Sequence, residues 1–240
     1  IGRGGVGMDN IDVEYAKENG LHVINTPNAS SSSVAELVFA HLFGMVRFLH
    51  QANREMPLDG DTRFKDLKKD FANGAELRGK TLGIVGFGRI GKEVAKIALG
   101  IGMKVIVTDG YVDKATINIP FFTGQSVDID LETEPLSKLL KNSDFITMHV
   151  PCQEEYIIGK TQLDAMKDGV GIINAARGGV IDEVALIAAI DTGKVRYAGL
   201  DVFESEPTPE VQILMNADIS LTPHIGAATV EAQDRIGKEL

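Results

Sequence analysis

Between Thr81 and Asp109 an apolar stretch, Thr81-Leu82-Gly83-Ile84-Val85, runs into Gly86-Phe87-Gly88-Arg89-Ile90-Gly91 and a segment of helical period, Lys92 to Leu99. A second apolar stretch, Lys104 to Thr108, then closes on an acid. Two buried parallel strands joined by a glycine-opened helix satisfy this pattern. The glycines divide the work: Gly86 permits a tight turn out of the strand, Gly88 lets backbone approach a pyrophosphate, and Gly91 lets the helix pack close to the sheet. The free amides at the helix start then face the phosphates. Asp109 follows Gly86 at close to the usual spacing, roughly 20 residues, for an acid that accepts ribose hydroxyls. The stretch predicts a dinucleotide site, and one for NAD rather than NADP.

Further strand candidates are Phe145 to His149, Gly171 to Asn174, Tyr197 to Val202 and Ile219 to Leu221, separated by helical segments at Leu136 to Asn142, Thr161 to Lys167 and Val184 to Thr192. Six strands alternating with helices make an α/β fold, a doubly wound parallel sheet of the Rossmann type. Function should gather where those strands finish, at Gly86, Asp109, His149, Ala175 to Arg177, Asp201 and Pro223-His224. Upstream, Gly4-Gly5-Val6-Gly7-Met8-Asp9-Asn10 reads as a loop, Val13 to Asn19 as a short helix stopped by Gly20, and His22 to Asn25 as a strand halted before Pro27. This looks like the last unit of a domain that begins before Ile1. Ser30 to Ser33 supply candidate N-caps for a helix from Val34 to His50, apolar on nearly every face. Such a helix needs burial all round, from its own domain or a second subunit, and we expect the subunit. Glu55 to Arg78, with Pro57, Gly60 and Gly74, reads as a polar, irregular wrap over the surface.

The chain's 240 residues, 44% hydrophobic, suffice for a substantial core. A net charge of -10 argues against nucleic acid as a partner. Lys65 to Lys69, interrupted by Asp66 and followed by Asp70, reads as a solvated face. The most apolar segment, Val34 to Leu49, carries Glu36, His41 and Arg47, so no membrane span is expected, and no signal peptide is visible. The single cysteine, Cys152, excludes an internal disulfide framework and points to the cytoplasm. If the substrate is an anion, so acidic a protein needs particular arginines to hold it.

Three charged side chains fall just beyond strand ends: Arg177, Glu206 and His224. A hydride-transfer site uses these types. Arginine holds a carboxylate through two parallel hydrogen bonds and polarises an adjacent carbonyl. Histidine gives or takes the proton as the hydride moves, and a neighbouring carboxylate favours its protonated form. Arg177 before Gly178-Gly179 also suits a turn cap, and Glu206 beside Pro207 an ordinary surface loop, whereas His224 between Pro223 and Gly226 has little structural reason to be there. No metal site is expected, because His22, His41, His50 and His149 are scattered and His224 has no second ligand at metal spacing. His41 and His50 read as packing on their own helix, and Cys152 as a small packing residue.

Taken together, these segments resemble the NAD-dependent D-isomer-specific 2-hydroxyacid dehydrogenases along nearly the whole chain. The resemblance is carried by Gly5-Val6-Gly7-Met8-Asp9-Asn10-Ile11-Asp12, Asn25-Thr26-Pro27-Asn28, Ser33-Val34-Ala35-Glu36-Leu37, Gly86 to Gly91 and His149-Val150-Pro151. It continues through Asn174 to Glu183, Leu200-Asp201-Val202-Phe203, Glu206-Pro207 and Thr222-Pro223-His224-Ile225-Gly226, and the tail Ala228 to Gln233 is most similar to the phosphoglycerate branch. Ser30 departs from the asparagine frequent in that branch. The resemblance implies that Arg177 binds the substrate carboxylate and carbonyl, that His224 is the acid/base, and that Glu206 orients it. It implies that Val6 and Gly7 offer amides to a small anionic 2-hydroxy or 2-oxo acid, with 3-phosphoglycerate as the leading substrate. Glyoxylate, hydroxypyruvate and 2-oxoglutarate are the alternatives, and an NAD-sensing corepressor-like protein is the other class. NAD would meet Gly86, Gly88, Arg89, Ile90, Gly91 and Asp109, then Val150 and Pro151 on the adenosine side, and Ala175, Ala176, Asp201, His224, Gly226 and Ala227 on the nicotinamide side. The cofactor domain, residues 28–222, would be inserted into a flavodoxin-like substrate domain represented here in part by residues 1–27 and the returning 223–240. The segment supplying cations for a substrate phosphate would lie before Ile1, and the assembly would be a homodimer or homotetramer.

Overall fold

Strands of this molecule form where aliphatic and β-branched residues follow one another almost without interruption, the signature of parallel strands covered on both faces. The computed structural model describes residues 1–8 and 10–240; Asp9, part of the glycine-rich loop expected from the sequence, lies outside them. The chain opens with β1 (Gly2–Arg3), α1 (Val13–Glu18), β2 (Ile24–Asn25), α2 (Ser31–Val46), α3 (Leu49–Asp59) and α4 (Phe64–Asp70). The central unit follows as β3 (Thr81–Val85), α5 (Arg89–Gly100), β4 (Lys104–Thr108), β5 (Lys114–Pro120), β6 (Ser126–Glu132), α6 (Leu136–Asn142) and β7 (Phe145–Met148). It is completed by α7 (Lys160–Ala165), β8 (Val170–Asn174), α8 (Glu183–Asp191), β9 (Val195–Leu200), α9 (Val211–Met215), β10 (Ile219–Leu221) and α10 (Val230–Glu239).

Six strands make one parallel sheet in the order β10-β9-β8-β7-β3-β4. All six fall where the sequence predicted strands. From β3 the chain passes first to β4 on one side and later to β7 on the other, so β3 and β7 flank the switch point at which α/β sheets bind ligands. Alternation sorts the side chains: Leu82 and Ile84 join a core with α2 and α5, while Val85, Ile146 and Ile172 join one with residues of α6 to α8.

Helix α2 corrects two expectations. It stops at Val46, and the chain turns through Phe48, a left-handed residue with φ 55°, into α3 at a bend of 57°. A bulky residue at positive φ costs energy and breaks the helical ladder, so the single helix to His50 becomes two. Eleven of the sixteen residues of α2 are buried, and they pack on α5, β8, β9 and β10 of the same chain rather than on a second subunit. Ser30 is the N-cap but makes no side-chain capping bond. The stretch from Glu55 to Arg78 is not the irregular wrap expected, because α3 runs on through Pro57 and α4 follows.

A larger difference is the antiparallel hairpin β5–β6, which pairs Lys114 with Glu132 through Pro120 with Ser126. Its inner face, with Ile117 buried and Ala115, Ile119 and Leu131 beside it, packs on the α5 side of the core. Its outer face ties Thr116 Oγ1 to Asp130 at 2.7 Å and Asn118 Nδ2 to Asp128 at 2.7 Å. Directly after β6 the chain meets the edge of the main sheet, where Thr133 bridges Val107 of β4.

β1 and β2 form a separate parallel pair. Helix α10 and Leu240 lie against this unit, where a Cβ on Gly2 would come 3.1 Å from Leu240 Cδ2 and one on Gly4 3.0 Å from Ile236 Cγ2; α10 also reaches the segment after β2, Arg235 Nε donating to Ala29 O at 2.8 Å and Asn28 Nδ2 to Glu239 at 2.9 Å. Among the described residues no single helix is long and apolar enough to cross a membrane; α2 and α3 reach that length only together, across their bend.

Candidate active site

The turn after β3 is built around backbone that tolerates no Cβ. Gly86 sits at φ 97°, and a Cβ there would fall 2.4 Å from His149 O and 2.8 Å from Val150 Cγ1. A Cβ on Gly91 would come within 2.1 Å of Gly86 O, so the helix lies directly on the turn. Gly88 differs: it is the N-cap of α5, no side chain caps the helix, and a Cβ on it would meet nothing within 4 Å. The first-turn amides from Arg89 onward therefore open onto unobstructed space, the arrangement an anion seeks at a helix N-terminus. Asp109 closes the turn, its carboxylate accepting from Phe87 N at 2.6 Å, Tyr111 N at 2.8 Å and Val112 N at 3.1 Å. It remains partly exposed, with lone pairs beyond those three amides. This cradle fits a dinucleotide pyrophosphate and its ribose, and the contact of Val150 with Gly86 brings the segment through Pro151 to the same rim.

At the ends of β8, β9 and β10 three loops are fastened together. Buried Asn174 clamps the first: its Nδ2 donates to Arg177 O at 2.8 Å and its Oδ1 accepts from Ala176 N at 3.1 Å. This holds Ala175, Ala176 and Arg177 at the strand end, with Arg177 Nη1 on Ala176 O at 2.7 Å. A Cβ on Gly178 would overlap Phe203 O at 1.8 Å, so the Arg177 loop is seated on the loop that carries Glu206. Glu183 and Glu204 tie the same loops by reciprocal bonds, each carboxylate accepting the other's backbone amide at 3.0 and 2.9 Å. Burial pushes the Glu183 carboxyl above the usual carboxylate range, and its Oε2 is buried without a partner.

His224 and Glu206 meet directly, Nδ1 to Oε2 at 2.8 Å, while Glu206 Oε1 accepts from Phe203 N at 3.0 Å. With Nδ1 committed to the carboxylate, Nε2 is the nitrogen left to exchange a proton with a substrate. His224 has φ 53°, rare for a residue with a side chain. Both side chains are partly open to solvent, and a cavity of about 390 Å³ lies beside them, walled by Phe203, Pro207, Pro209, Leu214 and Leu221. The groups present suit acid/base chemistry next to a held anion.

Asp201 is buried, its Oδ1 accepting from Thr222 Oγ1 at 2.6 Å and Ile225 N at 2.8 Å, its Oδ2 from Gly226 N at 2.9 Å. The carboxylate thus tethers the His224 loop, with Ala227 next in line, a duty the sequence did not suggest. Val6 and Gly7 stand in the loop after β1, where Asn25 Nδ2 donates to Val6 O at 2.8 Å. That loop belongs to the β1–β2 unit.

Two histidine expectations are corrected. His41 does not pack on its own helix but bonds to Ser220 and Thr222, and His50 Nε2 bonds to Ala217 O at 3.2 Å. Burial pushes both below the ordinary histidine range. At the end of β7, His149 is pushed down to about 3 by burial; its Nε2 meets Thr147 Oγ1 at 3.0 Å and its Nδ1 is buried without a partner. Cys152 is exposed, not a packing residue. Among the described residues no three histidine, cysteine or acidic side chains converge as metal ligands would.

Residues 39–226 match the family model described as D-isomer specific 2-hydroxyacid dehydrogenase, NAD binding domain. The chain is 46% identical to a hydroxypyruvate reductase of Thermotoga maritima, covering 100% of this chain and 74% of the relative. It is 44% identical to a D-3-phosphoglycerate dehydrogenase of Methanocaldococcus jannaschii, covering 99% of this chain but 43% of the relative, less than half that protein's length. Among solved structures it resembles the holo form of Rhodotorula graminis D-mandelate dehydrogenase, with a TM-score of 0.87 and 30% identity over 99% of this chain and 68% of that one.

Proposed function

The chain belongs to the D-isomer specific 2-hydroxyacid dehydrogenases, oxidoreductases that act on CH-OH groups with NAD as cofactor, and on that footing we propose that it interconverts 3-phosphoglycerate and 3-phosphohydroxypyruvate, a step toward serine. The observation that carries the chemistry is the His224–Glu206 pair on loops fastened to that of Arg177. The substrate assignment is supported by phosphoglycerate dehydrogenases among the relatives, from archaea and bacteria alike.

NAD, when bound, accepts or donates the hydride at the substrate's second carbon. The Gly86 to Gly91 turn with the α5 amides would hold its pyrophosphate, and Asp109 its adenosine ribose. On the substrate side, Arg177 pairs with the carboxylate in a fork and polarises the neighbouring carbonyl. His224 Nε2 gives its proton to the carbonyl oxygen as reduction proceeds and takes it back in oxidation. Glu206 fixes the ring through Nδ1 and balances the imidazolium charge. In this reading Asp201, Ala175, Ala176, Gly226 and Ala227 border the nicotinamide, and Val6 and Gly7 offer amides to the substrate. Residues 1–27 and 223–240 form one substrate-side unit apart from 28–222, a reading supported by the seating of Leu240 against Gly2 and of Ile236 against Gly4. The reading includes a homodimer or homotetramer in the cytoplasm.

A second reading, reduction of hydroxypyruvate or glyoxylate, is favoured by the 46% identity to the Thermotoga enzyme. It keeps the mechanism and changes the pocket. Following NADH oxidation with phosphohydroxypyruvate, hydroxypyruvate, glyoxylate and 2-oxoglutarate side by side decides the matter: preference for the phosphorylated acid supports the first reading, and preference for an unphosphorylated one replaces it. A chain that binds NADH and reduces none of them would instead be a sensor.

A further inference from the structure

His41 has no part in the chemistry above, yet it is buried and both of its ring nitrogens are engaged. The imidazole stands where β9 lacks a side chain: a Cβ on Gly199 would lie 3.1 Å from both Cβ and Cγ of His41. Gly199 pairs with Ser220 across the sheet, and Ser220 and Thr222 share a face at the end of β10. The ring bridges them, Nδ1 to Ser220 Oγ at 2.9 Å and Nε2 to Thr222 Oγ1 at 3.0 Å.

The direction of each bond follows from counting protons. An ionised carboxylate only accepts, so the one hydroxyl proton of Thr222 lies on the 2.6 Å bond to Asp201 Oδ1. Toward His41, Thr222 is then an acceptor, which puts a ring proton on Nε2. In the neutral ring Nδ1 accepts from the Ser220 hydroxyl. The ionisable groups that act on the ring are Asp201 and His50; burial outweighs the pull of Asp201 and favours the neutral imidazole. Asp201 in turn holds the amides of Ile225 and Gly226, the two residues after His224, which itself sits at φ 53°. A side chain in that sparsely populated region persists only where its surroundings over-determine it.

We propose that His41 is a positioning residue for His224: with its proton on Nε2 it directs the Thr222 hydroxyl onto Asp201, and Asp201 holds the amides that keep His224 turned toward Glu206. The inference rests on His224 being the acid/base of the proposed function. Replacing His41 by leucine keeps volume but frees the Thr222 hydroxyl to rotate away. Glutamine, by contrast, offers a donor and an acceptor spaced like the two ring nitrogens.

The first test is nitrogen-15 NMR of the imidazoles in the natural full-length protein. His41 is expected to be an Nε2–H tautomer when neutral, and to lose its charge below the pH at which an unperturbed histidine does. A neutral ring with its proton on Nδ1 overturns the proposal without any variant having to fold. The second test is steady-state reduction of hydroxypyruvate by NADH. H41L is expected to lower kcat roughly tenfold with KM for both substrates within about twofold, as for hydrogen-bonded neighbours that couple. H41Q should recover most of the loss, and T222V should add little to H41L, because both break the same link. Equal losses in H41L and H41Q, a loss confined to KM, or additive losses overturn the proposal. If H224N itself leaves kcat unchanged, the functional reading fails, and the tautomer measurement still judges the link from His41 to Thr222.

Discussion

His224 Nδ1 lies 2.8 Å from Glu206 Oε2, and the other oxygen of Glu206 is pinned by the Phe203 amide at 3.0 Å, so the ring is held by a carboxylate that cannot swing away from it. In the proposed reaction the nitrogen left to move the proton is therefore Nε2. Removing a positioned acid/base costs about 10²- to 10⁴-fold in rate, and H224N is expected to fall in that range with the dissociation constant for NADH nearly unchanged. Loss of NADH binding, measured by fluorescence titration, would contradict the role assigned to His224.

Within the glycine turn, Gly91 is closely packed and Gly88 faces open space. G91A places a methyl 2.1 Å from Gly86 O and is expected to destabilise the fold by about 1 to 3 kcal/mol or more, as overpacking against rigid backbone does. G88A meets no protein atom within 4 Å, so its melting temperature should match the parent while NADH affinity drops. Equal stability for both variants, or unchanged NADH affinity in G88A, would remove the case for a pyrophosphate over that turn.

Asp109 carries two duties at once, accepting from Phe87 N and from two amides of the following loop. D109N should weaken NADH by roughly tenfold or more, the scale of a lost bond to a charged group, and narrow the preference over NADPH. It should also loosen the turn, visible as faster amide exchange at Phe87. Cofactor discrimination that stays as sharp as in the parent would count against the ribose assignment.

His149 titrates near 6.5 in an unfolded chain and at about 3 in the folded one. Between those values the unfolded chain binds a proton that the folded chain does not, so stability falls as pH drops below about 6.5 and is unaffected by this group above it. The slope for one such group is at most ~1.4 kcal/mol per pH unit. His41 and His50, also pushed down by burial, act in the same direction. Denaturant melts from about pH 7 to about pH 5 are expected to show a shallower decline in H149Q than in the parent; identical slopes would mean that the ring is not buried neutral.

Much of this was legible beforehand. The six sheet strands announced themselves because a strand covered on both faces has no room for polar residues, and the strand-end rule then located Arg177, Glu206 and His224. The hairpin β5–β6 was missed although Ala115, Ile117 and Ile119, then Val127, Ile129 and Leu131, alternate at period two; it stands between β4 and α6 as an addition to an alternation of strand and helix that is complete without it. The length of α2 could not be read, because nothing in Arg47-Phe48-Leu49 signals a left-handed residue. The duty of His41 was hidden for another reason: Gly199, Ser220 and Thr222 lie far off in sequence, and only the sheet register sets them under one ring.

The hairpin also bears on the order in which the molecule can be assembled. Each of its pairs is formed between neighbours in the chain, joined by the short turn at Phe121 to Gln125, whereas Leu82 of β3 must await Phe145 of β7. A hairpin closes in about 1–10 μs, and non-local parallel pairing is much slower. Ile117 and its neighbours thus bring α5 an apolar cover built wholly from local pairs, whereas the strands that lead to Arg177 and His224 join the molecule through pairs distant in sequence.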